Sequence, residues 1–122
     1  MKLGYDTLSS RQFNGNIATQ AWGTGSSFPN LFSYTYDKLN RLTSGLSSGT
    51  VANSMSEVMT YDDMGNIITL NRAGAGISTY DYTGYGNKLK SISGASVSTA
   101  IYQYNVNGNV ENDGRLGVTI RL

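Results

Sequence analysis

The sequence predicts an all-β protein, an antiparallel β-meander of tandem hairpins that forms a curled sheet of about 9–11 strands. Three observations support this fold class. Short runs alternate aromatic or aliphatic residues with polar ones, Gly, Asn and Asp punctuate the chain between the runs, and a similar segment recurs along the sequence. Alternation with a period of two is typical of half-buried strands, and no stretch shows a comparable helical period.

One segment recurs five times. Each unit can be aligned on the turn residue that comes just before the first apolar residue of its second strand. These aligned residues, or markers, are 25, 25, 21 and 22 residues apart. The markers are Asn16, Arg41, Asn66, Asn87 and Asn109. A period of about 20–50 residues indicates a repeat architecture. The units span roughly residues 11–24, 31–46, 56–72, 77–93 and 99–114, and because no composition shift separates them we expect one domain over residues 1–122.

Each unit is predicted to hold an outgoing strand, a turn and a returning strand. In the second unit Phe32, Tyr34 and Tyr36 alternate with Ser33 and Thr35, which places the three aromatic residues on one face of a strand. The same pattern predicts strands at about 16–22, 31–37, 41–46, 56–62, 66–71, 77–83, 88–93, 99–105 and 109–112, with terminal strands at 3–8 and 117–121.

The turns have their own chemistry. Asp37 and Asp62 follow outgoing strands, and an Asp side chain there accepts a hydrogen bond from the backbone N–H two residues further on. Gly65, Gly86 and Gly108 supply the positive φ that tight turns need. Three units also share one spacing between the last aromatic and the returning aliphatic residue, namely Tyr36 to Leu42, Tyr61 to Ile67 and Tyr104 to Val110. We therefore expect a tight turn followed by a β-bulge.

Charge and hydropathy disfavour two classes of partner. Nine basic and eight acidic residues give a net charge of +1, which provides no basic patch for nucleic acid. No apolar run approaches the roughly 20 residues that span a bilayer, so we expect no membrane insertion. Residues 1–10 lack the apolar core of a secretory signal, so we expect no targeting signal in this chain.

Catalytic and metal-binding residue types are scarce. The chain has no His and no Cys, which removes the usual general base, thiol nucleophile and transition-metal ligands. The stretch YDDMGN at 61–66 lacks the ligand spacing of an EF-hand loop, and the glycines of GYGNKL at 84–89 complete no phosphate-binding motif. We expect no enzyme, no catalytic residue, no cofactor and no metal. A distant alternative is glycosidase chemistry by carboxylates that converge from Asp62, Asp63, Asp81 or Glu111.

Tyrosines form a ladder along the predicted strands. Its members are Tyr34, Tyr36, Tyr61, Tyr80, Tyr82, Tyr102 and Tyr104. Packing between neighbouring strands explains these rings, whereas a sugar-binding platform is the alternative, with Trp22 and Tyr85 as further candidate glycan-binding residues because they fall outside the regular pairs. Burial against another layer would favour packing, and an exposed row of rings would favour binding.

The repeated stretches YTYDKLNRLTSG at 34–45 and MTYDDMGNIITL at 59–70 resemble YD repeats, the tandem units of bacterial RHS proteins. The resemblance covers roughly residues 11–114. Together with the stretch QFNGNIATQAWGT at 12–24, these units resemble the RHS-type proteins of Bacteroidetes in particular. The residues that match the motif are Tyr36, Asp37, Tyr61, Asp62, Gly65, Asn66, Tyr82, Gly86, Asn87, Tyr104, Gly108 and Asn109. Thr83 and Asn105 stand in place of the motif Asp, and Asn40-Arg41 replaces Gly-Asn.

The resemblance implies a structural role. In that family, long arrays of hairpins form a continuous sheet that spirals into a hollow shell, often around a C-terminal toxin, and related repeats in animal teneurins serve cell adhesion. It implies a secreted or cell-surface protein. Because five units are too few for a shell, we expect a fragment or reduced relative that pairs with the rest of a longer RHS-type scaffold or self-associates through its sheet edges. The alternative is a carbohydrate- or cell-surface-binding module that uses an exposed tyrosine face.

Overall fold

The computed structural model describes residues 1–5, 12–52, 54–95 and 97–119 and, over those residues, contains strands and turns but no helix. Its eleven strands are β1 (Lys2–Gly4), β2 (Thr19–Trp22), β3 (Asn30–Tyr36), β4 (Leu42–Gly49), β5 (Glu57–Tyr61), β6 (Ile67–Arg72), β7 (Ile77–Asp81), β8 (Ser91–Gly94), β9 (Val97–Tyr104), β10 (Val110–Asp113) and β11 (Val118–Thr119). Each strand pairs with its neighbours in sequence order, and the sheet is an antiparallel meander. The predicted fold class is confirmed.

All eleven predicted strands are present, with shifted ends. One difference is at β8, which begins at Ser91 rather than near residue 88, because the preceding residues form a loop. In that loop the N–H of Tyr85 donates to the carbonyl of Tyr82, and the N–H of Lys88 donates to the carbonyl of Tyr85. Parts of the two predicted terminal strands, residues 6–8 and 120–121, lie outside the described residues. The curl of the sheet stays a prediction.

Backbone contacts divide the chain into two compact units. The N-terminal unit comprises Met1–Met59 with Asn71–Gly74, and the C-terminal unit comprises Thr60–Leu70 with Ala75–Leu122. The five sequence repeats are therefore shared between two groups of contacts. A single domain over residues 1–122 stays a prediction.

In the N-terminal unit, β3 and β4 pair along the full length of β3, from Asn30 opposite Gly49 to Tyr36 opposite Leu42. The rings of Phe32 and Tyr34 stack at 5.8 Å between centroids, which confirms that they share a face. Gly45 lies opposite Tyr34, and a Cβ built on that glycine would come within 3.2 Å of the ring. The glycine therefore lets the tyrosine ring lie close against the neighbouring strand.

Few side chains are enclosed. Among the described residues the buried apolar side chains are Ala18, Met59 and Ala100, and the buried polar ones are Asn30, Ser44, Ser47, Ser56 and Ser78. No large described side chain is fully buried. Buried polar groups are tolerated only when they are hydrogen-bonded, so the local hydrogen bonds offset the cost of burying these side chains.

One buried network holds the segment between β4 and β5. The Oγ of Ser56 accepts the N–H of Ser47 at 2.8 Å, and the Oγ of Ser47 donates to the carbonyl of Ala52 at 2.6 Å. The Oδ1 of Asn30 accepts the N–H of Val51 at 3.2 Å. Small polar side chains therefore fix this connection to the strands beside it.

The turn between β6 and β7 contains a strained residue. Ala73 has a φ of 54° and is followed by Gly74 with a φ of 70°. Two consecutive positive φ values are the pattern of a type I′ turn, in which Asn-Gly is the favoured pair. An alanine in the left-handed region costs roughly 1 kcal/mol, whereas Asn tolerates that region.

We predict that Ala73→Asn raises the free energy of unfolding by about 1 kcal/mol, because Asn lowers the cost of the left-handed conformation. Urea unfolding monitored by circular dichroism measures the change. Ala75→Asn is the matched control, since Ala75 is an exposed residue of the same turn whose φ is not positive, and it should change stability by less than about 0.5 kcal/mol. Equal effects of the two substitutions would contradict the assignment of strain to Ala73.

Candidate functional site

Three of the five units close their hairpins with the same five-residue turn. The turns begin at Asp37, Asp62 and Asn105. In each, the first N–H donates to the carbonyl of the fifth residue at 2.9 Å, and the fourth N–H donates back to the carbonyl of the first at 2.9–3.1 Å. The fourth residues, Asn40, Gly65 and Gly108, have φ values of 62°, 88° and 84°. This is a three-residue loop whose last residue is left-handed and leads into a bulge.

The bulge that was expected after the turn is present where the register is defined. Tyr36 pairs with Leu42 while Thr35 pairs with Ser44, so one residue of β4 is left unpaired. The register of β9 with β10 shifts in the same way just after Tyr104 pairs with Val110. Two of the three predicted six-residue spacings are therefore register pairs across a bulged hairpin.

A side-chain oxygen at the first position clamps each of these turns. The Oδ1 of Asp37 accepts the N–H groups of Leu39 and Arg41 at 2.8 and 2.9 Å. The Oδ1 of Asp62 accepts those of Met64 and Asn66 at 2.9 and 2.8 Å. The bond to the residue two further on confirms the prediction, and the bond to the residue four further on was not foreseen.

Asn105 forms the same clamp without a charge. Its Oδ1 accepts the N–H groups of Asn107 and Asn109, both at 3.0 Å. An amide oxygen has the same geometry and acceptor capacity as one carboxylate oxygen. The departure from the motif at this position therefore leaves the turn intact.

The charged clamps have a second oxygen that holds the fifth residue. The Oδ2 of Asp37 accepts the Nε of Arg41 at 2.6 Å, and the Oδ2 of Asp62 accepts the Nδ2 of Asn66 at 2.9 Å. The backbone N–H of Arg41 is the main cause that lowers the pKa of Asp37, and the amide of Asn66 is the main cause that lowers the pKa of Asp62. Both carboxylates are held in their ionised form.

The fourth unit uses a residue at a different position as the side-chain acceptor of its turn. Asp81, rather than Thr83, is the acceptor, and its Oδ1 takes the N–H of Thr83 at 2.9 Å. Lys90 lies with its Nζ 3.2 Å from the Oδ2 of Asp81. Hydrogen bonds from the hydroxyl and the N–H of Thr83, with a smaller contribution from Lys90, lower the pKa of Asp81 from 3.8 to about 2. Sequence reasoning placed the acceptor after Tyr82, because it followed the order of the repeat motif.

Asn side chains join the turns of neighbouring units. In the N-terminal unit the Nδ2 of Asn14 donates to the Oδ1 of Asn40, which also accepts the Nδ2 of Asn16 at 3.3 Å. In the C-terminal unit the Nδ2 of Asn66 donates to the Oδ1 of Asn87 at 3.0 Å. The motif Asn therefore links one unit to the next in addition to ending its own turn.

Motif tyrosines form a second kind of link. The hydroxyl of Tyr36 donates to the carbonyl of Ile17 at 2.9 Å, and the hydroxyl of Tyr104 donates to the carbonyl of Leu89 at 2.8 Å. Both acceptors are the returning aliphatic residue of the preceding unit. Burial raises the pKa of each of these tyrosines. The rings are half-buried, an outcome between the buried and the fully exposed ladder.

The remaining predicted residues fall in separate places. Tyr61 ends β5, Tyr82 follows β7, and both are half-buried. Trp22 ends β2 opposite Asn30 in the N-terminal unit. In the C-terminal unit, the ring of Tyr85 lies 5.9 Å from that of Tyr104, and the Nζ of Lys88 lies 5.2 Å from the centroid of the Tyr104 ring. The two glycan-binding candidates therefore belong to different units.

Of the four candidate carboxylates, Asp62 and Asp81 line one cleft of about 390 Å³ in the C-terminal unit. Asp63 is exposed in its turn, and Glu111 is exposed on β10. Within the part of the chain that is described, no three His, Cys, Asp or Glu side chains come together as a metal site requires. The described residues also include no helix that is long and apolar enough to cross a bilayer.

No protein-family model matches the chain, and no curated protein matches it.

The clamp can be tested where the chain offers its own control. Asp62→Ala removes the acceptor for the N–H groups of Met64 and Asn66, and we expect it to lower the midpoint of thermal unfolding by several degrees. Asp62→Asn should have a much smaller effect, because Asn105 performs the same function in the equivalent turn. Differential scanning calorimetry measures both variants. Equal losses would show that the charge, rather than the acceptor geometry, is what the turn requires.

The low pKa of Asp81 predicts sensitivity to acid. A carboxylate whose pKa is lower in the folded state stabilises the fold above its ordinary pKa of 3.8, and this stabilisation is lost as the pH falls towards about 2. Asp37 and Asp62 act in the same direction. We expect the urea midpoint to be level from about pH 7 to 5 and to fall below about pH 4. Asp81→Asn should make that fall shallower, and a fall of unchanged steepness would contradict the role of Asp81.

Proposed function

We propose that the chain is a non-catalytic structural segment of a YD-repeat β-scaffold of the RHS type. The observation that carries the proposal is the turn that recurs at Asp37, Asp62 and Asn105 with the same backbone and side-chain hydrogen bonds. Each copy uses the residues that resemble the YD motif. The motif therefore has a structural explanation that requires no ligand.

Links between neighbouring units support the same proposal. The hydroxyls of Tyr36 and Tyr104 donate to carbonyls of the preceding unit, and Asn66 donates to Asn87 of the following unit. Repeat proteins are stabilised by such nearest-neighbour contacts, which allow units to be added without changing the rest. A scaffold built of hairpins needs a recurring local turn and a contact to the next hairpin, and these motif residues supply both.

The ionisation of Asp62 and Asp81 argues against either of them as a general acid. A general acid in glycoside hydrolysis needs a raised pKa, whereas the pKa values of Asp62 and Asp81 are lowered by the N–H and side-chain donors of their own turns. Their hydrogen bonds are those of turn clamps. This supports the proposal that the chain has no enzymatic activity.

The tyrosine ladder fits a scaffold better than a glycan-binding platform. The hydroxyls of Tyr34, Tyr36 and Tyr104 are engaged with Gln20, Ile17 and Leu89 within the protein. A sugar stacked on the ladder would need ring faces that are only half accessible. The same contacts explain why the rings recur at fixed places in the units.

The resemblance supplies the wider context of the proposal. We place the chain in a secreted or cell-surface bacterial protein associated with a toxin, in which its partner is the rest of a longer scaffold. A second copy of the chain is the other partner we propose, through pairing of sheet edges. β1 and β11 are the end strands in the strand order, and an edge strand presents backbone groups on which another strand can pair.

Duplication of one unit tests the scaffold proposal. A second copy of residues 42–66, inserted between Asn66 and Ile67, places Leu42 after a complete turn, as it stands after Arg41 in the natural chain. We expect the longer chain to keep its β-sheet circular dichroism per residue and to unfold at the same or a higher temperature.

A control insertion carries the same 25 residues in scrambled order. It should lower the unfolding temperature, because it lacks the clamp and the motif tyrosine. If the ordered duplication lowers stability as much as the scrambled one, the units are not modular and the scaffold proposal fails.

A further inference from the structure

Two turns of the same shape carry exposed side chains that their own hairpins do not use. The turn that begins at Asp37 continues with Lys38 and Leu39, and we call these two residues the N-terminal tip. The turn that begins at Asp62 continues with Asp63 and Met64, which we call the C-terminal tip. All four side chains of the tips are exposed, and each tip lies in the compact unit of the same name.

The apolar side chain of each tip has no part in its turn. The clamp uses the backbone N–H of Leu39 at 2.8 Å and that of Met64 at 2.9 Å, so a polar side chain at either position would leave these hydrogen bonds in place. The side chains are 69% and 67% exposed. A single exposed apolar residue is ordinary, but turns favour small polar residues, and here both turns carry an apolar residue at the same position. The recurrence calls for an explanation outside the hairpin.

The charged side chain of each tip is also available. Among the described residues, the ion pairs involve neither Lys38 nor Asp63. The Asp that begins each turn differs in this respect, because its carboxylate is engaged with donors of the turn itself. The second residue therefore presents the free charge of each tip, and the two free charges have opposite sign.

The two tips are complementary when one faces the other. Both turns have the same backbone hydrogen bonds, so their second residues can lie opposite each other while their third residues do the same. Lys38 of one copy then meets Asp63 of a second copy, and Leu39 meets Met64. Two N-terminal tips would instead oppose two cations, and two C-terminal tips would oppose two carboxylates. The charges therefore select unlike tips.

We propose that two copies of the chain associate through these tips, with Lys38 against Asp63 and Leu39 against Met64. The contact is made by turns and does not involve the end strands β1 and β11. It therefore goes beyond the scaffold proposal and does not depend on it. Because each tip presents only two side chains, the contact belongs to the weak and transient class of interfaces.

Sedimentation equilibrium of the full chain tests the contact. We expect reversible association with a dissociation constant on the order of 0.1–1 mM at low salt, and weaker association at about 1 M NaCl, where surface charges are screened. Lys38→Asp and Asp63→Lys each place like charges at the second positions of the two turns. Each substitution should weaken association roughly threefold or more. Circular dichroism verifies that the variants fold.

Reversal of the charges makes the result specific. The double variant that combines Lys38→Asp with Asp63→Lys exchanges the two charges, and it should associate nearly as well as the natural chain. An equimolar mixture of the two single variants should associate more strongly than either variant alone, because each tip then finds one of opposite charge on the other variant.

Two substitutions serve as matched controls. Glu111→Lys makes the same change of charge as Asp63→Lys at an exposed residue of β10, and it should leave association unchanged. Leu39→Ser should weaken association, whereas Leu116→Ser should not. Leu116 is 64% exposed but lies in the turn between β10 and β11.

Three outcomes would overturn the proposal: a natural chain that stays monomeric at about 1 mM, association that neither single charge substitution weakens, or a mixture that associates no better than its components. The second outcome would assign self-association to the end strands and leave the scaffold proposal intact. If the chain stays monomeric but sediments with phosphatidylserine vesicles, the tips belong to a lipid-binding surface instead.

Discussion

The hairpins depend on one interaction, a side-chain oxygen at the first position of the turn that accepts two backbone N–H groups. One oxygen of Asp37, Asp62 or Asn105 accepts N–H groups two and four residues further on, which fixes the turn. In the hairpins that contain Asp37 and Asn105, one residue is left unpaired as a bulge. The bulge determines which face the returning strand presents. A shift of one residue would turn every side chain of that strand to the other face, so the geometry of the turn sets the register of each unit.

Stabilisation is spread over many small contacts. The buried apolar side chains among the described residues, Ala18, Met59 and Ala100, are too few and too small to form an extended apolar core, and serines occupy several of the other buried positions. The buried serine pair of Ser47 and Ser56 is hydrogen-bonded to the backbone around it, which offsets the cost of removing hydroxyls from water. The sheet therefore relies on hydrogen bonds whose partners are close in sequence or belong to the neighbouring unit.

Much of this architecture is predictable from the sequence because it is local. The period-two pattern of Phe32, Tyr34 and Tyr36 specifies a strand without information from elsewhere in the chain, and Gly65 or Gly108 specifies a left-handed turn position. The first half of the Asp clamp follows from the preference of Asp for hydrogen bonds to nearby N–H groups. These features need no knowledge of long-range packing.

What the sequence did not reveal depends on groups brought together by pairing. The carbonyls that accept the hydroxyls of Tyr36 and Tyr104 carry no sequence signal, since every residue has a carbonyl. The role of Asp81 was missed because the fourth unit has a longer loop, which moves the acceptor before Tyr82 and delays β8. The cleft beside Thr83 and Gly84 arises from the same longer loop, and its space is visible only once the backbone is placed.

The meander also bears on how quickly the chain reaches its native state. Each strand pairs with the next one along the chain, so most of the loops that must close are short and their entropic cost is small. Proteins dominated by such local pairings have low contact order and fold faster than sandwiches whose strands pair across the sequence. During synthesis, one hairpin can form as soon as its second strand leaves the ribosome, and each new hairpin then finds an ordered edge on which to grow.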